Sequence, residues 1–230
     1  MTPEMAFEGL VVSHDPTVFS TVDRILHDLS IHMNMCPSYS GATKFLAEGS
    51  TDLIVIDWEG EPSSQLLDQI REFAKCQKPT VVAISEMDRA IPGVHVILRK
   101  PMTRESGTKS LKTAYSRMLR DYRKHTRFAL MTRVLAVDEK KGTFSVSVTN
   151  IGEGGVGLAT NEELAIGSII SFPLPLPGLK SEIHIEARIL WTRSYGVAGC
   201  EFVHIPAASR QILRAWLESR YRIKKPLIPV

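Results

Sequence analysis

The feature that most constrains this chain is a change of hydrophobic period near Pro101, in a sequence of 230 residues. Before it, short β-branched apolar runs alternate with segments of helical spacing. After it, apolar and polar residues alternate with the two-residue period of strands. No single layered architecture accommodates both patterns, so the chain reads as two modules.

In the first half, the runs at 10–12 (LVV), 31–35 (IHMNM), 52–57 (DLIVID), 80–85 (TVVAIS) and 94–99 (VHVILR) read as five buried strands. Val18, Val22, Ile25, Leu26 and Leu29 form one helical stripe behind the start signal Asp15-Pro16, and Leu66, Leu67, Ile70, Phe73 and Ala74 form another. Alternation of this kind predicts an α/β doubly wound five-stranded parallel sheet with functional groups at the carboxyl ends of its strands. Ser13, His14, Asp57, Ser85 and Lys100 all fall there.

Leu111, Tyr115, Met118, Leu119 and Tyr122 then repeat at helical spacing, which predicts a long helix completing the first module and running outward. Six alternating stretches follow, separated by turn signals such as EKKG, GEGG and LPGLKSE, and predict a small antiparallel barrel or sandwich. A closing helix over 207–221 carries Ile212, Leu213, Trp216 and Leu217. The expected organisation is a first domain at 1–105, a helix and linker at 106–122, and a second domain at 123–230.

Charge divides along the same line. Residues 1–105 hold 9 Lys+Arg against 15 Asp+Glu, and residues 106–230 hold 19 against 10. The basic excess suits an anionic partner, although a run such as Lys109 to Arg127 with the single acid Asp121 also reads as a solvated helix face. With 43% hydrophobic and 23% charged residues, disordered and fibrous classes are excluded. No apolar run reaches the ~18–20 residues of a membrane span, and the first ten residues lack the basic start of a leader, so the expectation is a cytoplasmic protein without a membrane partner. Cys36, Cys76 and Cys200 are scattered and odd in number, and no ligand spacing links them or the seven His, so neither a disulfide framework nor a metal centre is expected. No Ser-His-acid or paired-carboxylate motif favours an enzyme.

VVSHDPTV, DLIVID, TVVAIS and RKP, in this order, resemble the response-regulator receiver family over roughly residues 7–120. The resemblance implies that Asp57 is the phosphoryl acceptor and that Ser85 and Lys100 sense the added charge. Two acidic residues after the first strand normally hold Mg²⁺ in that family, and Ser13 and His14 stand in their place. A hard cation needs carboxylate oxygens, so the expected state is an Asp57–Lys100 ion pair in a receiver that serves as a protein-interaction or dimerisation module. Regulated phosphorylation is the alternative. The stretch between Ser85 and Lys100 is also short for the helix that usually joins the last two receiver strands.

RKHTR at 123–127 and NIGEGG at 150–155 resemble the two signature elements of the PilZ family, RxxxR and [D/N]xSxxG, and YGVAGCEF resembles its closing strand. This resemblance implies a six-stranded barrel that binds the second messenger cyclic di-GMP through Arg123, Arg127 and Asn150, with Gly152, Gly154 and Gly155 shaping the loop. Guanidinium groups suit that ligand because they pair with phosphate or a guanine O6/N7 edge and stack on bases. Gly152 stands where the pattern has Ser, which removes one hydroxyl contact. Both arginines precede the barrel and are expected to be exposed. The resulting expectation is a non-enzymatic signalling adaptor without a cofactor, acting on an unidentified protein partner or a second copy. The alternative is a PilZ-like interaction barrel that no longer binds nucleotide; nucleic acid is disfavoured because no stacking platform is evident. Trp191 and Tyr195, beside Arg193, read as packing more readily than as a surface for a base. Trp216 is expected to seat the last helix, and Cys200 to be an inert core thiol.

Overall fold

The computed structural model of the protein describes residues 5–49, 51–73, 79–87 and 89–230. The chain divides into two compact units, residues 1–120 with 222–230, and residues 121–221.

Five strands, β1 (Phe7–Val12), β2 (Ile31–Cys36), β3 (Leu53–Asp57), β4 (Thr80–Ser85) and β5 (Val96–Arg99), form the sheet of the first unit. All neighbours are parallel, in the order β2-β1-β3-β4-β5. Every residue of β3 and β4 is buried, as a strand covered on both faces requires. The order reverses between β1 and β3, so the crevice at their carboxyl ends is the natural place for a site.

Helix α1 (Pro16–Asp28) starts where Asp15 accepts the Thr17 amide, and it buries Val18, Val22, Ile25 and Leu26. The second expected stripe lies on α3 (Glu61–Phe73), with Leu66, Leu67 and Ile70 buried; Ala74 falls outside the described residues, as does Cys76. Between them stands a helix that hydrophobic period alone does not reveal, α2 (Tyr39–Glu48), capped by Ser38 and burying only Ala42 completely. No helix separates β4 from β5 among the described residues. A loop covers that part of the sheet instead: Ile91 is buried, Val94 packs beside it, and Arg71 Nη2 donates to the Pro92 carbonyl at 2.9 Å.

Helix α4 (Arg104–His125) is the long expected helix, burying Gly107, Leu111, Ala114, Tyr115 and Met118. Residues 222–230, which the sequence reading places with the barrel, belong to the first unit. Met5 and Ile223 form a parallel bridge, with Met5 N donating to Arg222 O at 2.7 Å and Lys224 N to Met5 O at 3.0 Å. Ser30 Oγ donates to Lys225 O at 2.8 Å, and Leu227 N to Asp28 O at 2.8 Å.

The second unit is a closed six-stranded barrel of β6 (Phe128–Asp138), β7 (Gly142–Ile151), β8 (Gly155–Ala159), β9 (Ile169–Pro175), β10 (Glu182–Arg193) and β11 (Val197–His204). Its order is β10-β11-β8-β7-β6-β9, and every pairing is antiparallel. Alternating residues such as Val146 and Val148, Ile170 and Phe172, and Ile183 through Ile189 point into one core. The EKKG turn is tied by the buried Asp138, whose carboxylate accepts the Lys140 and Lys141 amides. Helix α5 (Ala207–Glu218) buries Leu213, Trp216 and Leu217. Trp216 seats it, its Nε1 donating to Pro177 O at 3.0 Å.

Register shifts interrupt this barrel, among them those between Ala129 and Thr132 in β6, Val148 and Asn150 in β7, and Ile189 and Trp191 in β10. A bulge of this kind reverses which residues face inward beyond it. Ile151 rather than Asn150 is therefore fully buried in β7. In β10 the inward series ends at Ile189, leaving Leu190 and Trp191 both exposed.

Candidate functional site

Arg123 lies in the last turn of α4, where a cation is favoured by the helix dipole. Thr126 ends that helix by donating both its amide and its hydroxyl to Tyr122 O. Arg127 follows, one residue before β6. Across the β7–β8 turn, the Gly152 amide donates to Gly155 O at 2.9 Å, and the Phe202 amide donates to Gly154 O at 3.0 Å.

These two segments, about two dozen residues apart in sequence, meet. A Cβ added at Gly152 would lie 2.2 Å from Arg127 Nη1 and 2.7 Å from Thr126 O. The glycine thus makes room for the guanidinium, which folds back so that Nη1 donates to Lys124 O at 3.0 Å and Thr126 O at 3.3 Å. Gly155 is equally constrained, because its Cβ would lie 2.0 Å from Cys200 O. Asn150, two residues before the turn, pairs with Ala129 in β6 and with Gly157 in β8. Its amide group covers Gly157, whose Cβ would meet Asn150 Nδ2 at 2.3 Å.

The two arginines differ in setting. Arg127 is exposed, as expected. Arg123 is half-buried, a departure from expectation with a clear cause: its guanidinium lies 3.9 Å from Glu218 and 5.7 Å from the Tyr221 ring centroid, while Tyr221 donates to its carbonyl at 3.3 Å. Arg123 Nε is shielded from water without a hydrogen-bond partner. Burial pushes the Tyr221 phenol up to about 12, an effect Glu153 adds to and Arg123 opposes. Cys200 faces the core, and burial raises its thiol to about 12 as well, in keeping with an inert role. Trp191 is the residue whose setting sequence reasoning missed, since period-two alternation after Ile185, Ala187 and Ile189 points it inward.

At the carboxyl ends of β1 and β3 the first unit has a second arrangement. Asp57 is buried, with 3% exposure. Its Oδ2 accepts from Ser13 Oγ at 2.8 Å, and its Oδ1 lies 2.6 Å from Lys100 Nζ. Ser13 Oγ also accepts the Asp15 amide at 3.0 Å, which ties the pocket to the start of α1. Ser85 is buried on the adjacent strand, its hydroxyl accepting the Met87 amide at 3.1 Å. Tyr39 donates to Asp57 O at 2.9 Å.

Ser13, Asp57 and Lys100 are therefore brought together with Ser85 beside them. His14 is not part of this set: its ring is exposed and lies 4.0 Å from Glu59. The Mg²⁺ that the receiver resemblance implies does not fit these residues. Among the described residues no group of three or more His, Cys, Asp or Glu could hold a metal ion, and Asp57 already engages both oxygens. A divalent cation that prefers several carboxylate or water oxygens would displace Lys100 to gain a single carboxylate. Among the described residues, no helix is long and apolar enough to cross a membrane.

Comparison with solved structures finds similarity to the chemotaxis response regulator CheY4 of Vibrio cholerae, at 15% identity and a TM-score of 0.42, over 48% of this chain and 99% of that one. It also finds the signal receiver domain of an HD domain-containing protein from Pseudomonas fluorescens, at 18% identity and a TM-score of 0.44, over 53% of this chain and 95% of that one. The inhibitor of motility from Bacillus subtilis is similar at 20% identity and a TM-score of 0.36, over 41% of this chain and 48% of that protein. No curated protein matches the sequence. The family model of the PilZ domain matches residues 121–219, from the end of α4 through the barrel to α5, so this chain carries a PilZ domain over those residues.

Proposed function

We propose that the barrel binds cyclic di-GMP through Arg123, Arg127 and Asn150, around the loop that carries Gly152, Gly154 and Gly155, and that the protein is a non-enzymatic cytoplasmic signalling adaptor. The observation that carries this reading is the meeting of the exposed Arg127 with Gly152, which joins two motif elements distant in sequence. The half-buried Arg123, held beside Tyr221, adds a second guanidinium of the kind that pairs with a phosphate or a guanine edge. Losing an arginine that makes charge-assisted bonds of about 1.5–3 kcal/mol weakens affinity roughly 10- to 150-fold. Titration calorimetry with cyclic di-GMP should show that loss for Arg127→Ala with an unchanged Tm. Arg123→Ala should show it together with a lowered Tm, because Glu218 and Tyr221 lose a partner. Asn150→Ala should cost less than either. A folded wild type that fails to bind at high micromolar ligand would replace this reading with a PilZ-like interaction barrel.

The receiver-like unit, in the same proposal, is an interaction or dimerisation module for a protein partner or a second copy. Its support is the Asp57 carboxylate held by Ser13 and Lys100. Acetyl phosphate with Mg²⁺ should leave no adduct at Asp57; a stable adduct, lost in Asp57→Ala, would make the unit a phosphorylated switch.

A further inference from the structure

Helix α4 carries cations that the fold does not use. Gly107, Leu111, Ala114, Tyr115 and Met118 form its buried side. Opposite them, Lys109, Lys112, Thr113, Ser116, Arg120 and Lys124 recur at spacings of three and four residues, which puts them on one face. Lys109, Arg120 and Lys124 are exposed and Lys112 is half-buried. Among the described residues, no hydrogen bond or ion pair engages the side chain of any of these four.

At 1.5 Å of rise per residue, the row from Lys109 to Lys124 is about 22 Å long. Its two hydroxyls are turned back onto the helix: Thr113 Oγ1 donates to Lys109 O at 3.2 Å, and Ser116 Oγ donates to Lys112 O at 2.9 Å. Asp121 is the single acid between Lys109 and Lys124, and it stands about 100° around the helix from Arg120. The face is therefore a line of cations without a counter-charge in its midst. It also lacks an apolar anchor. Protein interfaces take most of their energy from well-packed central anchors, and a helix lying on a bilayer inserts an apolar side, which α4 spends on the core. A line of bare cations suits a regular polyanion.

We propose that this face of α4 binds the phosphate backbone of double-stranded DNA without reading its sequence. The duplex presents one negative charge per about 1.7 Å of its axis, and lysine and arginine bind it by releasing condensed counterions. The missing stacking platform counts against single strands. A duplex keeps its bases paired and is held by its phosphates, so it needs no such platform. None of the four cationic residues belongs to the proposed nucleotide site, and the two readings stand or fall separately.

The test is fluorescence anisotropy of a short labelled DNA duplex titrated with the intact chain over a salt series. Four neutralised phosphates predict a slope of log K against log salt of about −3.6, a roughly 150-fold loss of affinity between about 50 and 200 mM salt. Replacing Arg120 and Lys124 together by Gln should bring the slope to about −1.8 and weaken binding at low salt, and Lys109→Gln with Lys112→Gln should do the same. Gln is a good helix former and the replaced side chains make no bond, so the Tm of both double variants should match wild type. A wild type that fails to bind at low salt overturns the proposal. A slope that both double variants leave unchanged also overturns it, by putting the contact elsewhere on the chain. Binding of poly-glutamate as tight as that of DNA at equal charge would assign the face to an acidic protein tract instead.

Discussion

Gly152 departs from the residue pattern of its family by one side chain, and in this structure the departure has a second effect. The space left by the missing side chain is filled by Arg127, which rests on the carbonyls of Lys124 and Thr126. The Gly152 backbone is not in the left-handed region, so crowding rather than dihedral strain governs a substitution there. The arginine end can swing aside, whereas Thr126 O, 2.7 Å from the added Cβ, belongs to the backbone. Gly152→Ala and Gly152→Ser should both lower stability, by about 1–3 kcal/mol as for other overpacked sites, and thermal melts would show it. Comparing their affinities isolates the hydroxyl: Ser should bind cyclic di-GMP about 2- to 13-fold tighter than Ala, the equivalent of a neutral hydrogen bond of 0.5–1.5 kcal/mol. Equal affinities would mean that the hydroxyl makes no contact. The arginine and glycine motif was legible in the sequence because it depends on local residue identity. The folding back of Arg127 was not, since it depends on a neighbour across the barrel.

Among the elements, legibility followed hydrophobic period. The fully buried β3 and β4 and the striped α1 and α3 each repeat a pattern that only one element type satisfies, and these were readable. Helix α2 buries one alanine completely and rests on partly covered Phe45 and Leu46, so its amphipathic signal is weak. The bulges of β7 and β10 have no signature in residue type; they reverse the inside and outside of Asn150 and Trp191, and alternation extrapolated past them gives the wrong face. The ends of β1 and β3 allow a sharper test of the receiver-like unit. Ser13 lies within hydrogen-bonding distance of a buried carboxylate, and Ser13→Asp would place two carboxylates together with one lysine. Like charges at such a distance repel, so that variant should melt below wild type in a chelator. Added Mg²⁺ should raise its Tm through preferential binding to the folded state while leaving wild type unmoved. A wild type that is itself stabilised by Mg²⁺ would contradict the misfit of that ion.

For the molecule as a whole, the sequence separated two modules by charge and period but placed their boundary as a single crossing. The chain crosses twice. After α5 the last residues return to the first unit, where four backbone or hydroxyl hydrogen bonds hold them at Met5, Asp28 and Ser30. Nothing in the tail's basic, proline-containing composition announces this, because main-chain bonds are indifferent to side chain. Removing residues 222–230 should cost the first unit about 1–3 kcal/mol, at 0.5–1.5 kcal/mol net for each bond and with water replacing part of it. Hydrogen exchange would show faster exchange at the start of β1 and around Ser30, with the barrel strands unaffected; faster exchange confined to the barrel would contradict the assignment of the tail. The same topology sets an order of events during synthesis. Domains generally fold as they emerge from the ribosome, the N-terminal one first. Here the first unit must wait for its final segment until the entire barrel has been translated, so its last contacts form only on a chain whose second unit is already complete.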